Sequence, residues 1–264
     1  MESIRSADMA FNHNKKMPSM ERIAYFGSMT ICVFSIVYIL SVFFTGRSWL
    51  PLTGISAELS ELTLPFVQCV LGAAVLNVPG LLTKLTRIKL PNILCVLFYI
   101  FVICATVLGE LFSLYYRVPI WDSLLHCGSG IMCGMLGSIL VVNFLQKNNC
   151  KCLVTPMNVA VVAICVALCV GMVWEIYEFV GDSLLGMNMQ KSLLEDGTAL
   201  VGKMALADTM KDLIVDTVGA LIAAVGSYLS IKNRKGWLWS YVKPEPLSIP
   251  TKVSAYREDF AKSA

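Results

Sequence analysis

Charge is scarce in this chain. Of its 264 residues only 15% are Asp, Glu, Lys or Arg, against about 25% in an average soluble domain, while 56% are hydrophobic. That balance excludes a soluble globule, and it excludes an intrinsically disordered chain, which needs low hydrophobicity and high net charge. A basic excess is missing too. The formal net charge of +3 is too small for the electrostatic footprint of a nucleic-acid binder. Histidine is nearly absent: His13 and His126 are the two present. No Walker-type loop, G-x-S-x-G or H-E-x-x-H string occurs, and no repeat is detectable along the chain.

Cysteine is plentiful, with ten residues, but its placement excludes a disulfide framework. Cys32, Cys69, Cys95, Cys104, Cys133, Cys165 and Cys169 lie inside apolar runs, where a free thiol behaves as a small hydrophobe. Cys150 and Cys152 flank Lys151, which is not the paired C-x-x-C spacing of a zinc ribbon.

What the chain does have is long apolar runs. A bilayer crossing needs about 20 mostly apolar residues, and six stretches qualify: Ala24–Thr45, Thr63–Leu82 (interrupted by Pro79 and Gly80), Pro91–Tyr115, Trp121–Leu145, Met157–Phe179 and Ala207–Ile231. The expected fold is an all-α, polytopic membrane helix bundle of six transmembrane helices. It divides into an N-terminal tail (1–23), a membrane domain (24–231) and a basic C-terminal tail (232–264). The first span is read as retained, because a long polar tail precedes it and no A-x-A-like cleavage site follows it.

Basic residues orient the bundle. Sixteen of the 21 lysines and arginines fall in the two tails and in the loops after spans two and four; the other five are Arg47, Arg117, Lys191, Lys203 and Lys211. Both termini are therefore expected in the cytoplasm. Trp237, Trp239 and Tyr241 follow a basic cluster and read as an interfacial anchor, with the C-terminal tail contacting anionic lipid.

The acids run the other way. Twelve of the 18 lie in outward loops or outward span ends. Asp122 and His126, four apart, share one face of span four. Gly130 and Gly134 continue that face as a G-x-x-x-G stripe, which suits close approach of another helix. Glu175, Glu178 and Asp182 fall within roughly 60° of arc in span five, and Asp208, Asp212 and Asp216 within roughly 80° in span six. A helix N-cap explains Asp208, but not Asp216, more than two turns further in. The topology puts all three faces at the same end.

The expected site is Asp122, His126, Glu175, Glu178, Asp212 and Asp216 as metal ligands. His126, Asp122, Glu175 and Glu178 carry any catalysis, and Glu110, Arg117, Asp182 and Asp208 act at the rim or in support. Arg117 is the expected internal counter-charge. So many buried carboxylates need bound cations or protons. Oxygen ligands with one imidazole suit Mg²⁺, Mn²⁺ or Ca²⁺ before Zn²⁺ or iron.

The strings Gly109-Glu110, Tyr115-Tyr116-Arg117-Val118-Pro119, Trp121-Asp122-Ser123-Leu124-Leu125-His126, Trp174-Glu175-Ile176-Tyr177-Glu178-Phe179, Gly186-Met187-Asn188-Met189-Gln190 and Asp208 to Ala220 resemble the YjdF-like family of bacterial membrane proteins. A looser similarity is to VanZ-like proteins. The resemblance implies a multi-pass protein of a bacterial cytoplasmic membrane and imports no mechanism. Some family members carry Gly-Thr-Gln-Gly-Asp where this chain reads Gly186-Met187-Asn188-Met189-Gln190, followed here by a longer loop with Glu195 and Asp196.

Three functions fit these residues. One is a divalent-cation-dependent enzyme acting on a lipid or lipid-linked headgroup, with His126 as general acid/base. Another is a proton- or cation-coupled transporter, for which Pro79-Gly80 would mark a broken helix. The last is a non-catalytic scaffold. Membrane lipid is the expected partner and nucleic acid is not; six spans are few enough to suit a homo-oligomer.

Overall fold

The computed structural model describes residues 19–50, 53, 58–194 and 197–242. Residues 1–18 and 243–264 of the tails, and Glu195 and Asp196 of the long loop, lie outside them, and so does most of the C-terminal tail (232–264) for which contact with anionic lipid is expected. The described residues are helical apart from loops and one isolated β-bridge, Leu193–Ala199. In chain order the helices are α1 (Ser19–Thr45), α2 (Leu59–Val75), α3 (Val78–Thr86), α4 (Asn92–Ile103, continuing as a π-helix over Cys104–Leu111), α5 (Leu114–Arg117), α6 (Trp121–Lys147), α7 (Pro156–Leu185), α8 (Ala207–Lys232) and α9 (Gly236–Trp239).

Six segments are long and apolar enough to cross a membrane: α1, α2 with α3, α4 with its π-helix, α6, α7 and α8. Only 28–44% of each apolar window is buried inside the protein. The remaining faces, with Phe34, Phe144 and Phe179 among them, contact lipid. An even number of crossings puts Ser19 and Lys232 at one end of the bundle, called inner below. The starts of α6 and α8 lie at the outer end.

The second span breaks at Leu76–Asn77, two residues earlier than Pro79 itself. Proline lacks an N–H, and its ring collides with the carbonyl four residues back. Pro79 therefore takes the second position of α3, where no N–H is required. The third span stops at Leu111, short of Tyr115, because Ser113 takes a left-handed φ of 58°. The fifth runs six residues past Phe179, to a left-handed Gly186 cap.

The helices form two groups. In the first, α6, α7 and α8 meet through small residues. A Cβ on Gly130 would stand 2.7 Å from the Asp216 carbonyl, and one on Gly219 2.4 Å from the Cys127 carbonyl. The expected small-residue face of α6 thus abuts α8 almost backbone to backbone. Ala160, Ala163 and Ala224 close α7 onto α8, and the buried Ser138 and Ser227 hydroxyls bond at 2.7 Å. In the second group, Tyr38, Ile39, Val42, Leu62, Cys69, Val107 and Leu111 pack α1, α2 and the π-helix together.

A core at the inner end joins the groups, through Leu94, Ile139, Val142, Val159, Ile231 and Leu238. Trp237, Trp239 and Tyr241 pack half-buried against that core. The Tyr241 hydroxyl donates to the Lys89 carbonyl at 3.0 Å, and Gln146 Nε2 donates to the Tyr241 carbonyl at 3.0 Å. This aromatic segment therefore packs against the inner end of the bundle.

Candidate functional site

The close contact of α6 with α8 decides the site. With no side chain at Gly130 or Gly219, the acidic face of α8 slides under His126. His126 Nδ1 stands 3.3 Å from Asp216 Oδ1, and its Nε2 stands 3.7 Å from Asp122 Oδ1 and 3.9 Å from Asp212 Oδ2. Ser129 Oγ donates to Asp216 Oδ1 at 3.3 Å. The third helix makes room: a Cβ on Gly171 of α7 would fall 2.3 Å from Asp216 Oδ2.

One ligand atom each from Asp122, His126 and Asp212 lies within 4.8 Å of the others. Asp216 is on the opposite side of the ring. A carboxylate at Nδ1 selects the tautomer with hydrogen there and turns the Nε2 lone pair outward, as second carboxylates do behind metal-bound histidines. The structure thus gathers three of the six expected ligands around one point and sets Asp216 behind the imidazole.

Glu175 and Glu178 do not join that group. Glu178 Oε1 accepts from Trp174 Nε1 at 2.9 Å and faces a cavity. Glu175 is buried between helices. Among the described residues, neither Glu175 carboxylate oxygen, Asp212 Oδ1 nor Asp216 Oδ2 has a hydrogen-bond partner. Buried oxygens left this way are costly unless a proton or cation meets them.

The counter-charge is a lysine, and Arg117 is not it. Arg117 is exposed at the end of α5. Two residues before it, Tyr115 turns inward, and its ring lies against Gly109, where a Cβ would come within 2.3 Å of Tyr115 Cε2. Residues two apart face opposite sides of a helix, so the short α5 turns the Tyr115 ring inward and leaves the Arg117 guanidinium exposed. Burial pushes the Tyr115 hydroxyl well above its ordinary pKa, reinforced by Glu110 and Asp122; it remains a neutral donor.

Lys191 takes the role instead. Its Nζ pairs with Asp122 Oδ2 and lies 3.1 Å from Asp208 Oδ1. Burial alone would lower the ammonium's pKa, but the Asp122 and Asp208 carboxylates outweigh it and hold the group above the ordinary lysine range. Asp182, expected at the rim, instead fixes this loop. It accepts the Met189 and Gln190 N–H groups at 2.8 and 3.0 Å, and Gln190 Nε2 donates to Thr209 Oγ1 at 2.9 Å. No local pattern marks Lys191, which is 69 residues from Asp122 in sequence. Lys203 and Lys211 are exposed.

Between the two helix groups lies a cavity of about 290 Å³. Asp122, His126, Glu178 and Lys191 line it from one side. Glu110, at the end of the π-helix, faces it from the other, with Tyr115 and Gln68; Phe98, Phe101, Met132 and Cys133 line its inner part.

A family model matches residues 50–233, under the description of a predicted membrane protein, DUF2238. The chain belongs to the DUF2238 family. The DUF2238 match covers spans two to six and so includes every residue of the site. The description names no activity. No curated protein and no solved structure matches the chain.

Proposed function

We propose that this DUF2238 protein is a divalent-cation-dependent membrane enzyme acting on a lipid or lipid-linked headgroup at the outer end of the bundle. One observation carries the reading: the Asp122, His126 and Asp212 ligand atoms converge while Asp216 orients the imidazole, all on the wall of an apolar-floored cavity. A cation held there would polarise a headgroup oxygen. Oxygen donors with one imidazole favour Mg²⁺, Mn²⁺ or Ca²⁺, with Zn²⁺ or iron next. The orphaned Asp212 Oδ1 offers a further lone pair on the same carboxylate.

In this reading His126 serves as a ligand through Nε2 and cannot also be the general base. Glu178 is the proton carrier, since its carboxylate faces the cavity on a Trp174 N–H. Glu175 and Asp208 are supporting charges, and Lys191 is the counter-charge paired with Asp122. The orientation by basic residues and the family resemblance support a bacterial cytoplasmic membrane with the site facing outward.

The test is metal content and saturable Mn²⁺ or Mg²⁺ binding of purified protein. Asp212→Asn and His126→Ala should abolish binding, while Glu175→Gln should leave it. Binding that survives both of the first two would sink the reading. A cation- or proton-coupled transporter is the second reading, favoured by the unpartnered oxygens of Glu175, Asp212 and Asp216 as relay groups. Proton flux in vesicles without cation binding would select it.

A further inference from the structure

The cavity has a shape that a headgroup site alone does not require. On α2 it is lined from Leu64 to Val75, on α6 from Asp122 to Cys133, and on α7 from Ala167 to Glu178. Each pair is eleven residues apart. At about 1.5 Å per residue the cavity runs roughly 16 Å along the helices, about half of a bilayer's apolar thickness of roughly 30 Å. Its 290 Å³ spread over that length makes it a long, narrow slot.

Polarity is graded along it. Asp122, His126, Glu110, Glu178 and Lys191 stand in the outer part and Asp216 at mid-depth; beyond Asp216 the Cys133 thiol is the one ionisable group, and Val75, Phe98, Phe101, Met132 and Ala167 close the inner end. A wet pocket would be polar throughout, and an adventitious packing gap would show no gradient.

We infer that the slot seats a single unbranched acyl or alkyl chain of the substrate, tail inward, with the headgroup beside His126 and Lys191. The place of the headgroup rests on the cation site proposed above; the slot itself does not. From His126 to Cys133 is seven residues, roughly 10 Å. An extended chain advances about 1.25 Å per carbon, from a C–C bond of about 1.52 Å and an angle near 111°. About eight carbons therefore fit below the headgroup. A chain moving from lipid into this slot gains no hydrophobic free energy, because both surroundings are apolar. Length of fit, and not greasiness, sets the preference.

The experiment uses n-alkyl phosphates with a terminal diazirine, from butyl to hexadecyl, photolysed with the full-length protein in phospholipid nanodiscs. Probes are compared at equal membrane content, since partitioning alone grows about fourfold per methylene. Octyl phosphate should label Phe98, Met132 and Cys133, butyl phosphate only the mid-depth residues Ser129 and Val170, and excess unlabelled octyl phosphate should abolish the inner label. Ala105→Phe, which fills the slot wall, should lower the inner label about fivefold or more, the low end of an overpacking cost. If that variant does not fold, the length series and the competition still decide. Inner residues unlabelled at every length, labelled equally by butyl, or labelled without saturation overturn the slot. Cation binding with no inner label overturns the slot and keeps the enzyme reading. Saturable inner label in a protein that binds no cation keeps the slot and overturns the enzyme reading.

Discussion

Asp216 is the residue whose position separates a built site from a crowd of acids. It reaches one nitrogen of His126 while Asp122 and Asp212 face the other. Its removal should therefore act through orientation. Asp216→Asn is expected to weaken Mn²⁺ binding by about 10–100-fold, the usual effect of losing an outer carboxylate, and not to abolish it; titration calorimetry distinguishes the two. Lys191 gives the opposite sign. Lys191→Gln removes a positive charge from Asp122, so cation affinity should rise. Tm should fall in chelator, where Asp122 and Asp208 are left unpaired, and recover when cation is added. The Asp122–His126 pair was legible in the sequence because four residues make one helix face. Lys191 was not, because it comes from a loop and pairs with residues on α6 and α8 whose approach no local pattern encodes. Arg117 misled for the complementary reason: proximity in sequence to Asp122 says nothing about which side of a four-residue helix faces inward.

At the scale of elements, the contact between α6 and α8 does most to set the geometry. Gly219→Ala places a methyl 2.4 Å from the Cys127 carbonyl, and backbone cannot rotate away as a side chain can. The expected cost is about 1–3 kcal/mol, with cation binding weakened alongside, since Asp216 moves with α8. Gly226→Ala, on the same helix with nothing within 4 Å of the new methyl, should be neutral or stabilising by about 0.5–1 kcal/mol. Thermal unfolding of both in detergent checks the pair. The existence of the six spans, the small-residue face of α6 and the interruption near Pro79 were readable because they follow from hydropathy, residue size and a missing N–H. The π-helix over Cys104–Leu111 was not, since nothing in an apolar run distinguishes a wider turn from an ordinary one. Neither was the extension of α7 to Leu185, which carries Asp182 out of the site and into the loop's hydrogen bonding.

For the whole molecule, charge asymmetry predicts the direction of insertion. Cys152, exposed in the loop between α6 and α7, should resist a membrane-impermeant maleimide in intact cells and react once the membrane is opened. A Lys203→Cys variant should react in both. The opposite pattern would turn the site to the cytoplasm. The two helix groups also hold unequal grips on each other along their length. Tyr241, Gln146 and Lys89 fasten them at the inner end around a shared core, whereas further out the slot parts them, with Trp121 Nε1 donating across to the Cys104 carbonyl at 3.3 Å. The bundle is built like forceps: joined at the heel, with Glu110 on one jaw and Glu178 on the other. Any widening between the jaws is then a rotation about the heel that also parts Trp121 from the Cys104 carbonyl. It moves the outer carboxylates farthest, moves the Tyr241 fastening least, and ties the size of the opening to the distance between Glu110 and Glu178.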